Sequence, residues 1–337
     1  MKKVIVTGGA GFIGSHTVVE LVAAGYVPVI VDDLRNSEPR VLDGLARILG
    51  SAPRFHRIDC SDTAAFRKVL MEEGVVQGVI HFAAYKAVGE SVAEPVKYYQ
   101  NNIGSLAVLL ALMKERGIKD LVFSSSCTVY GQPASLPVTE RDADKNASSP
   151  YGYTKVVCEQ LVRDVCVADP TMKAALLRYF NPIGAHPTAH IGELPRGVPS
   201  NLVPFVTQTA AGLRERLRIN GDDYATSDGT CVRDYIHVVD LARAHVAALT
   251  WLDQQPGSTC EAFNLGTGQG NTVLEVVNTF KEVNGVNVPY EIGPRRAGDV
   301  EAVYADTTKC TKVLGWTPNL TLADALRDAW RWQQSLK

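Results

Sequence analysis

Val4-Ile5-Val6-Thr7-Gly8-Gly9-Ala10-Gly11-Phe12-Ile13-Gly14 decides the fold: a β-branched run stops at a glycine-rich turn, and a helix begins just beyond it. Glycine there admits positive φ and close backbone approach, while the first turn of the helix offers unpaired N–H groups and a positive dipole end. Gly8, Gly11 and Gly14 fit a G-x-x-G-x-x-G pattern, and Gly9, Gly11 and Gly14 fit G-x-G-x-x-G. Both templates seat a dinucleotide pyrophosphate. A second strand follows and ends in acid, Val29-Ile30-Val31-Asp32-Asp33. Asp32 stands 18 residues after Gly14, the right reach for the adenosine ribose hydroxyls, and its charge repels a 2′-phosphate. NAD is therefore expected rather than NADP. Arg35 argues the other way, because a nearby arginine accommodates that phosphate.

Working outward, the alternation continues. Strands are expected near 3–7, 27–32, 54–58, 77–83, 119–125 and 173–179 with helices between, the βαβ rhythm of a doubly wound parallel sheet of the α/β class. Val76-Gln77-Gly78-Val79-Ile80-His81-Phe82-Ala83 and Asp120-Leu121-Val122-Phe123-Ser124 are apolar and then abruptly small or polar. Buried strands whose carboxyl ends line a ligand crevice read that way. At 337 residues the chain exceeds the size at which one core stops growing. The rhythm breaks after about residue 180, with Pro/Gly-rich segments at 182–204 and 289–298. The reading is a dinucleotide-binding lobe over 1–180 and a smaller mixed α/β substrate lobe over 181–337. A helix expected from Asp234 to Trp251 packs back on the first lobe, within 234–254.

A formal net charge of −2 with both signs mixed gives no polyanion-binding face, so no nucleic acid partner is expected. Seven cysteines form an odd count with no Cys-x-x-Cys spacing, which points to reduced structural thiols and to no metal site. Met1-Lys2-Lys3 leads straight into the first strand and no apolar run approaches the length of a membrane span. A cytoplasmic protein without a membrane partner is the expectation.

Tyr151-Gly152-Tyr153-Thr154-Lys155 places a phenol and an ammonium one helical turn apart on a shared face. A phenol acts as a base at neutrality only if its pKa falls from about 10 to about 7, and a lysine charge about 4 Å away supplies on the order of 4 kcal/mol toward that fall. Tyr153, two residues from Lys155, points to another face, so Tyr151 is the better acid/base candidate. Ser124-Ser125-Ser126 ends the fifth strand, where a hydroxyl could orient a reacting oxygen against that phenol. Periodicity does not choose between Ser124 and Ser126.

The glycine turn, the serine triplet and Tyr151-x-x-x-Lys155 resemble the extended short-chain dehydrogenase/reductases. Within that family the chain is similar to the UDP-glucose (UDP-galactose) 4-epimerases across nearly its whole length. Four separated blocks carry this likeness: His81–Ser91, Leu177–Pro182, Gly229–His237 and Arg295-Arg296-Ala297-Gly298-Asp299.

The resemblance implies a Rossmann sheet, a tightly held NAD, a UDP-sugar substrate and a homodimer. It also implies C4 epimerisation through a transient 4-keto sugar, catalysed by Ser126, Tyr151 and Lys155. Cofactor contacts would come from Gly8, Gly11, Phe12, Ile13, Gly14, Asp32, Asp33, Asn36, Ser37, Asp59, Cys60, Phe82, Ala83, Lys86, Asn101, Ser124, Tyr151, Lys155 and Tyr179. The UDP-sugar would meet Lys86, Ser126, Tyr151, Phe180, Asn181, Asn201, Leu202, Asn220, Arg233, Arg296, Asp299 and Val303.

Arginine forks suit a diphosphate. The alternative for Arg233 and Arg296 is an ion pair with Asp234 or Asp299. Two departures stand out: Asn220-Gly221, where many members carry phenylalanine before the glycine, and Val303, where some carry tyrosine. A valine leaves space for an N-acetyl group at sugar C2, so N-acetylated UDP-sugars are expected as further substrates; otherwise Val303 is ordinary core. A 4,6-dehydratase or a net oxidoreductase is the competing activity. The dehydratases require an Asp-Glu pair after the fifth strand, where this chain has Ser125-Ser126-Cys127-Thr128. An NAD-sensing regulator would not need Tyr151 and Lys155 together.

Overall fold

A computed structural model of the chain describes residues 2–142, 147–296 and 299–336; Ala297 and Gly298 of the Arg295–Asp299 block lie outside them. The strands are β1 (Lys3–Thr7), β2 (Val27–Val31), β3 (Arg54–His56), β4 (Gly78–His81), β5 (Asp120–Ser124), β6 (Lys173–Tyr179), β7 (Asn181–Ile183), β8 (Leu217–Asn220), β9 (Val232–Arg233), β10 (Tyr235–His237), β11 (Thr259–Leu265), β12 (Asn271–Thr272), β13 (Tyr290–Gly293) and β14 (Ala302–Val303). The helices are α1 (Phe12–Ala23), α2 (Arg40–Leu49), α3 (Thr63–Glu73), α4 (Val88–Ala93), α5 (Pro95–Tyr98), α6 (Gly104–Arg116), α7 (Pro150–Ala168), α8 (Leu202–Ala210), α9 (Val238–Asp253), α10 (Val273–Asn284), α11 (Thr308–Leu314) and α12 (Leu322–Ser335).

Seven parallel strands form the central sheet in the order β11-β6-β5-β4-β1-β2-β3. This is the doubly wound Rossmann sheet expected from sequence. The direction of winding reverses between β1 and β4, which opens a crevice at their carboxyl ends. Alternate side chains of one strand feed opposite cores: Val4, Val6 and Ile30 pack with α1 and α9, while Ile5, Val29 and Val31 pack with α3, α6 and α7. Both faces are covered, so the strands read as continuous apolar runs.

Two elements differ from the sequence reading. Thr259–Leu265, inside the span 181–337 assigned to the second lobe, is the outermost strand of the central sheet, paired with β6. Its mixture Thr-Cys-Glu-Ala-Phe-Asn-Leu conceals a strand whose first three residues are only partly buried. The helix expected from Asp234 starts at Val238, where the His237 ring accepts from Val239 N at 3.1 Å as the cap. Asp234 lies before β10 and is fully buried, its carboxylate accepting from Thr267 N and Oγ1, Gly268 N and Ala305 N. α9 packs against α1 through Leu241, Ala244, Ala248, Leu249 and Leu252, with Val246 at the edge, while Val239 and Ala242 of the expected stripe are buried outside that cluster.

The rest of the second region gathers α8, α10 and α12 around Val206, Phe280 and Leu326, with β8 and β13 paired in parallel and β12-β9-β14 forming a small sheet. Capping boxes at Thr272/Glu275 and Thr321/Asp324 fix the starts of α10 and α12. No helix among the described residues is long and apolar enough to cross a membrane.

Candidate active site

The crevice begins at the end of β1. Gly8 is left-handed, with φ +69°, and a Cβ there would stand 2.8 Å from Ala83 N. A Cβ on Gly14 would stand 2.3 Å from the Gly8 carbonyl oxygen. These two positions therefore require glycine. Gly11 precedes α1 without a side-chain cap and the first turn holds no acid, so Phe12 and Ile13 bring N–H groups to a cradle shaped for phosphate.

At the end of β2 the Asp32 carboxylate accepts from Ala10 N (3.1 Å), Leu34 N (2.9 Å) and Ser37 Oγ (3.1 Å). Burial raises its pKa while these donors oppose the rise. Arg35, the residue that could have welcomed a 2′-phosphate, is consumed elsewhere: it pairs with both Asp33 and Asp59 and donates to Tyr85 Oη at 3.0 Å and Asn101 Oδ1 at 3.3 Å. Asn36 is exposed on the same loop, and Cys60 is buried nearby. Asn101 sits in a π-helical turn over Tyr99–Ile103.

Ser149 caps α7 through Gly152 N, with Pro150 opening the helix, and this orients Tyr151 and Lys155 inward. Both are buried, whereas Tyr153 is 45% exposed. Ser126 opposes the rise that burial imposes on the Tyr151 phenol, and its Oγ accepts from Thr128 N at 3.2 Å. Ser124 Oγ instead bonds Tyr179 Oη at 2.9 Å, and Ser125 Oγ donates to Glu159 Oε1 at 2.6 Å. The three consecutive hydroxyls thus have three different partners.

Without the cofactor's charge, burial dominates the electrostatics of this pair. Burial pushes the Tyr151 phenol well above its ordinary value, and the Lys155 ammonium donates to the Ser124 carbonyl at 2.7 Å with Nζ 6.0 Å from the Tyr151 ring centre. Burial also lowers Lys155 to about 8. Helical spacing fixes the shared face, but the nearest acceptor decides where the ammonium goes.

A network that sequence reasoning missed supports this floor. Arg178 on β6 grips Glu159 with two bonds of 2.8 and 2.6 Å and reaches Tyr130 Oη at 3.1 Å, all in the interior. A charged residue inside an apolar strand, and an acid four positions beyond Lys155, were its available signals.

On the opposite side, Arg233 and Arg296 both approach Asp299, at 3.7 and 2.6 Å. Arg233 is partly buried and near Cys127. Asn181 N donates to Asp234 O, and Phe180 and Val303 share one cluster with Tyr130. Asn201 and Leu202 open α8, and Asn201 Nδ2 and Lys86 Nζ both donate to Glu193 Oε1, at 2.6 and 3.2 Å. Phe82 packs on His245 with ring centres 4.7 Å apart. Asn220 ends β8 beside left-handed Gly221, with no described side-chain bond to the others.

Residues 4–266 match the model of the NAD dependent epimerase/dehydratase family. A UDP-glucose 4-epimerase from Dictyostelium discoideum is 50% identical over 98% of this chain and 95% of its own length. The crystal structure of UDP-glucose-4-epimerase from Stenotrophomonas maltophila with bound NAD and formylated UDP-arabinopyranose superimposes with a TM-score of 0.96 at 48% identity, covering 100% of this chain and 99% of that one. The enzyme from Bifidobacterium longum in complex with NAD+ and UDP gives 0.94 at 47% identity, covering 99% and 98%. The chain belongs to the NAD dependent epimerase/dehydratase family, among its UDP-glucose 4-epimerases.

Proposed function

We propose that this chain interconverts UDP-galactose and UDP-glucose by NAD-dependent epimerisation at sugar C4. The observation that carries the reading is the placement of buried Tyr151 and Lys155 one turn apart on α7 and of buried Ser126 just past β5, at the same carboxyl edge of the sheet that carries the glycine turn after β1. The donor set fits NAD: the cradle has no room for a Cβ at Gly8 or Gly14, Asp32 is held for ribose hydroxyls, and Arg35 is already occupied by two carboxylates.

When bound, NAD supplies a pyridinium charge that favours the phenolate, a hydride acceptor for C4, and a donor that returns hydride to the other face of the 4-keto sugar, leaving no net redox change. Tyr151 takes the proton from the 4-hydroxyl and gives it back, with Ser126 bridging the transfer. Lys155 contributes positive charge and binds the nicotinamide ribose. Gly8, Gly11, Phe12, Ile13 and Gly14 hold the pyrophosphate, and Asp32, Asp33, Asn36 and Ser37 the adenosine end. Asp59, Cys60, Phe82, Ala83, Lys86, Asn101, Ser124 and Tyr179 line the remainder. Arg233 and Arg296 take the diphosphate, with Asp299, Asn181, Asn201, Leu202, Asn220 and Phe180 around the UDP-sugar.

The deciding assay incubates purified protein with UDP-galactose and no added cofactor and looks for UDP-glucose in a coupled readout. Lasting absorbance at 340 nm without UDP-glucose would indicate a net oxidoreductase instead.

We propose that Val303, a small side chain packed with Phe180, makes room at the sugar C2 side for N-acetylated substrates, the alternative being ordinary core. Val303→Tyr is expected to remove activity on UDP-N-acetylglucosamine and spare UDP-galactose; equal loss on both would reject this role. The first lobe comprises 1–180 with α9, and β11 accompanies it. The assembly is a homodimer through helices of the first lobe, where α6 and α7 leave an apolar groove of about 250 Å³ lined by Leu110, Leu161 and Met172. A monomer in sedimentation velocity would overturn that assembly. The compartment is the cytoplasm, in keeping with seven unpaired cysteines.

A further inference from the structure

Residues 185–201 cross from the second lobe to the first as a strap. Its base is fixed twice: a Cβ on Gly192 would stand 2.5 Å from the Trp332 ring, and Trp332 Nε1 donates to Glu193 O at 2.9 Å. α2 abuts it from the other side, where a Cβ on Gly44 would stand 2.1 Å from His190 O. Beyond this base Arg196 leaves its own lobe. Its guanidinium donates to three carbonyls of the loop after β2: Arg35 O at 2.9 Å, Ser37 O at 2.9 Å and Leu34 O at 3.3 Å.

That loop needs support from outside. Leu34 is held at φ +62°, a conformation a branched side chain adopts only when its surroundings impose it. On the inner side, Asp32 accepts from Leu34 N and Ser37 Oγ. On the outer side, the three carbonyls converge on the one guanidinium, whose planar fork can serve several acceptors at once.

We propose that Arg196 is a positioning residue that clamps the 34–37 loop over the adenosine end of the dinucleotide and so sets how long the cofactor stays bound. The inference rests on the reading that Asp32 and its loop receive the adenosine ribose. Without the clamp Leu34 relaxes, the carboxylate and the Ser37 hydroxyl lose their fixed relation, and the change falls mainly on the rate of departure.

The test compares wild type, Arg196→Ala and Arg196→Lys, each loaded with radiolabelled NAD and chased with excess unlabelled NAD, with retained label counted after rapid desalting. Release from Arg196→Ala is expected to be about tenfold faster, the size of one lost charge-assisted hydrogen bond, with Arg196→Lys in between because a point charge cannot serve three carbonyls. UDP affinity by titration calorimetry should stay within about twofold, since the clamp acts on one end of the cleft. Equal release from all three proteins overturns the proposal. So does a parallel loss of UDP affinity, which would mark a general loosening of the strap. Should Arg196→Ala fail to fold, the Arg196→Lys release rate decides alone. A wild type that takes up no NAD at all refutes the reading of the cofactor site rather than the role of Arg196.

Discussion

Beneath the serine triplet, Glu159 and Arg178 are almost fully enclosed, with side chains 7% and 4% exposed, and each meets fixed partners. Across the cleft, Arg233 and Arg296 share the single carboxylate of Asp299, and Arg296 is 64% exposed. The first region is finished before any ligand arrives. Its two charges and the Ser124 and Ser125 hydroxyls have fixed partners, which holds the serine exit in place. The second region keeps spare donors, since each guanidinium carries five N–H groups and Arg296 commits one among the described bonds. On the proposed assignment, one side serves positional accuracy and the other capture of the diphosphate.

Four experiments break or sharpen that contrast. The largest effect is expected from Tyr151→Phe, which should lower kcat by about 10³-fold while leaving bound NAD in place, the size seen when general acid/base groups are removed. A kcat within tenfold of wild type would move the chemistry away from the enclosed side. Glu159→Gln comes next: stranding the Arg178 charge should cost about 3–5 kcal/mol in urea unfolding. If stability is unchanged, the buried network is not what holds the serine exit.

Third is a pH effect. Burial lowers Lys155 to about 8, so between that value and an unfolded value of about 10.4 the unfolded chain binds more protons, and stability rises with pH. Relative to Lys155→Met, wild type should gain up to about 1.4 kcal/mol per pH unit across that window and show no difference in slope below it. A flat difference between pH 8 and 10 would mean the ammonium is solvated. The smallest effect belongs to the open side: Arg296→Ala should raise KM for UDP-galactose about tenfold, with kcat and thermal midpoint little changed, because an exposed pair adds little to stability. A clear loss of stability there would erase the distinction between the two sides.

The central sheet was legible because buried parallel strands are continuous apolar runs broken at the crevice edge; all six strands expected from sequence are present within a few residues. The glycine cradle was legible for the same local reason. What depends on distant partners was not. Asp234 looked like the start of a helix because Val239, Ala242 and Val246 continue its stripe, whereas its four donors come from residues 267, 268 and 305. β11 carries polar residues through its partly buried half and so lost its strand signature. Glu193 and Arg196 act on residues more than a hundred positions away, and no spacing rule reaches that far. Tyr151 and Lys155 share their helical face, but the ammonium answers to the Ser124 carbonyl.

The buried Asp234 carboxylate has one more implication. It ties the Gly266–Gly268 turn to the start of the segment after β14, immediately beside Arg233. Peeling either segment away would leave the buried carboxylate short of hydrogen-bond donors. One carboxylate thus couples the turn to the segment after β14, so loosening either removes donors from the group that anchors the other.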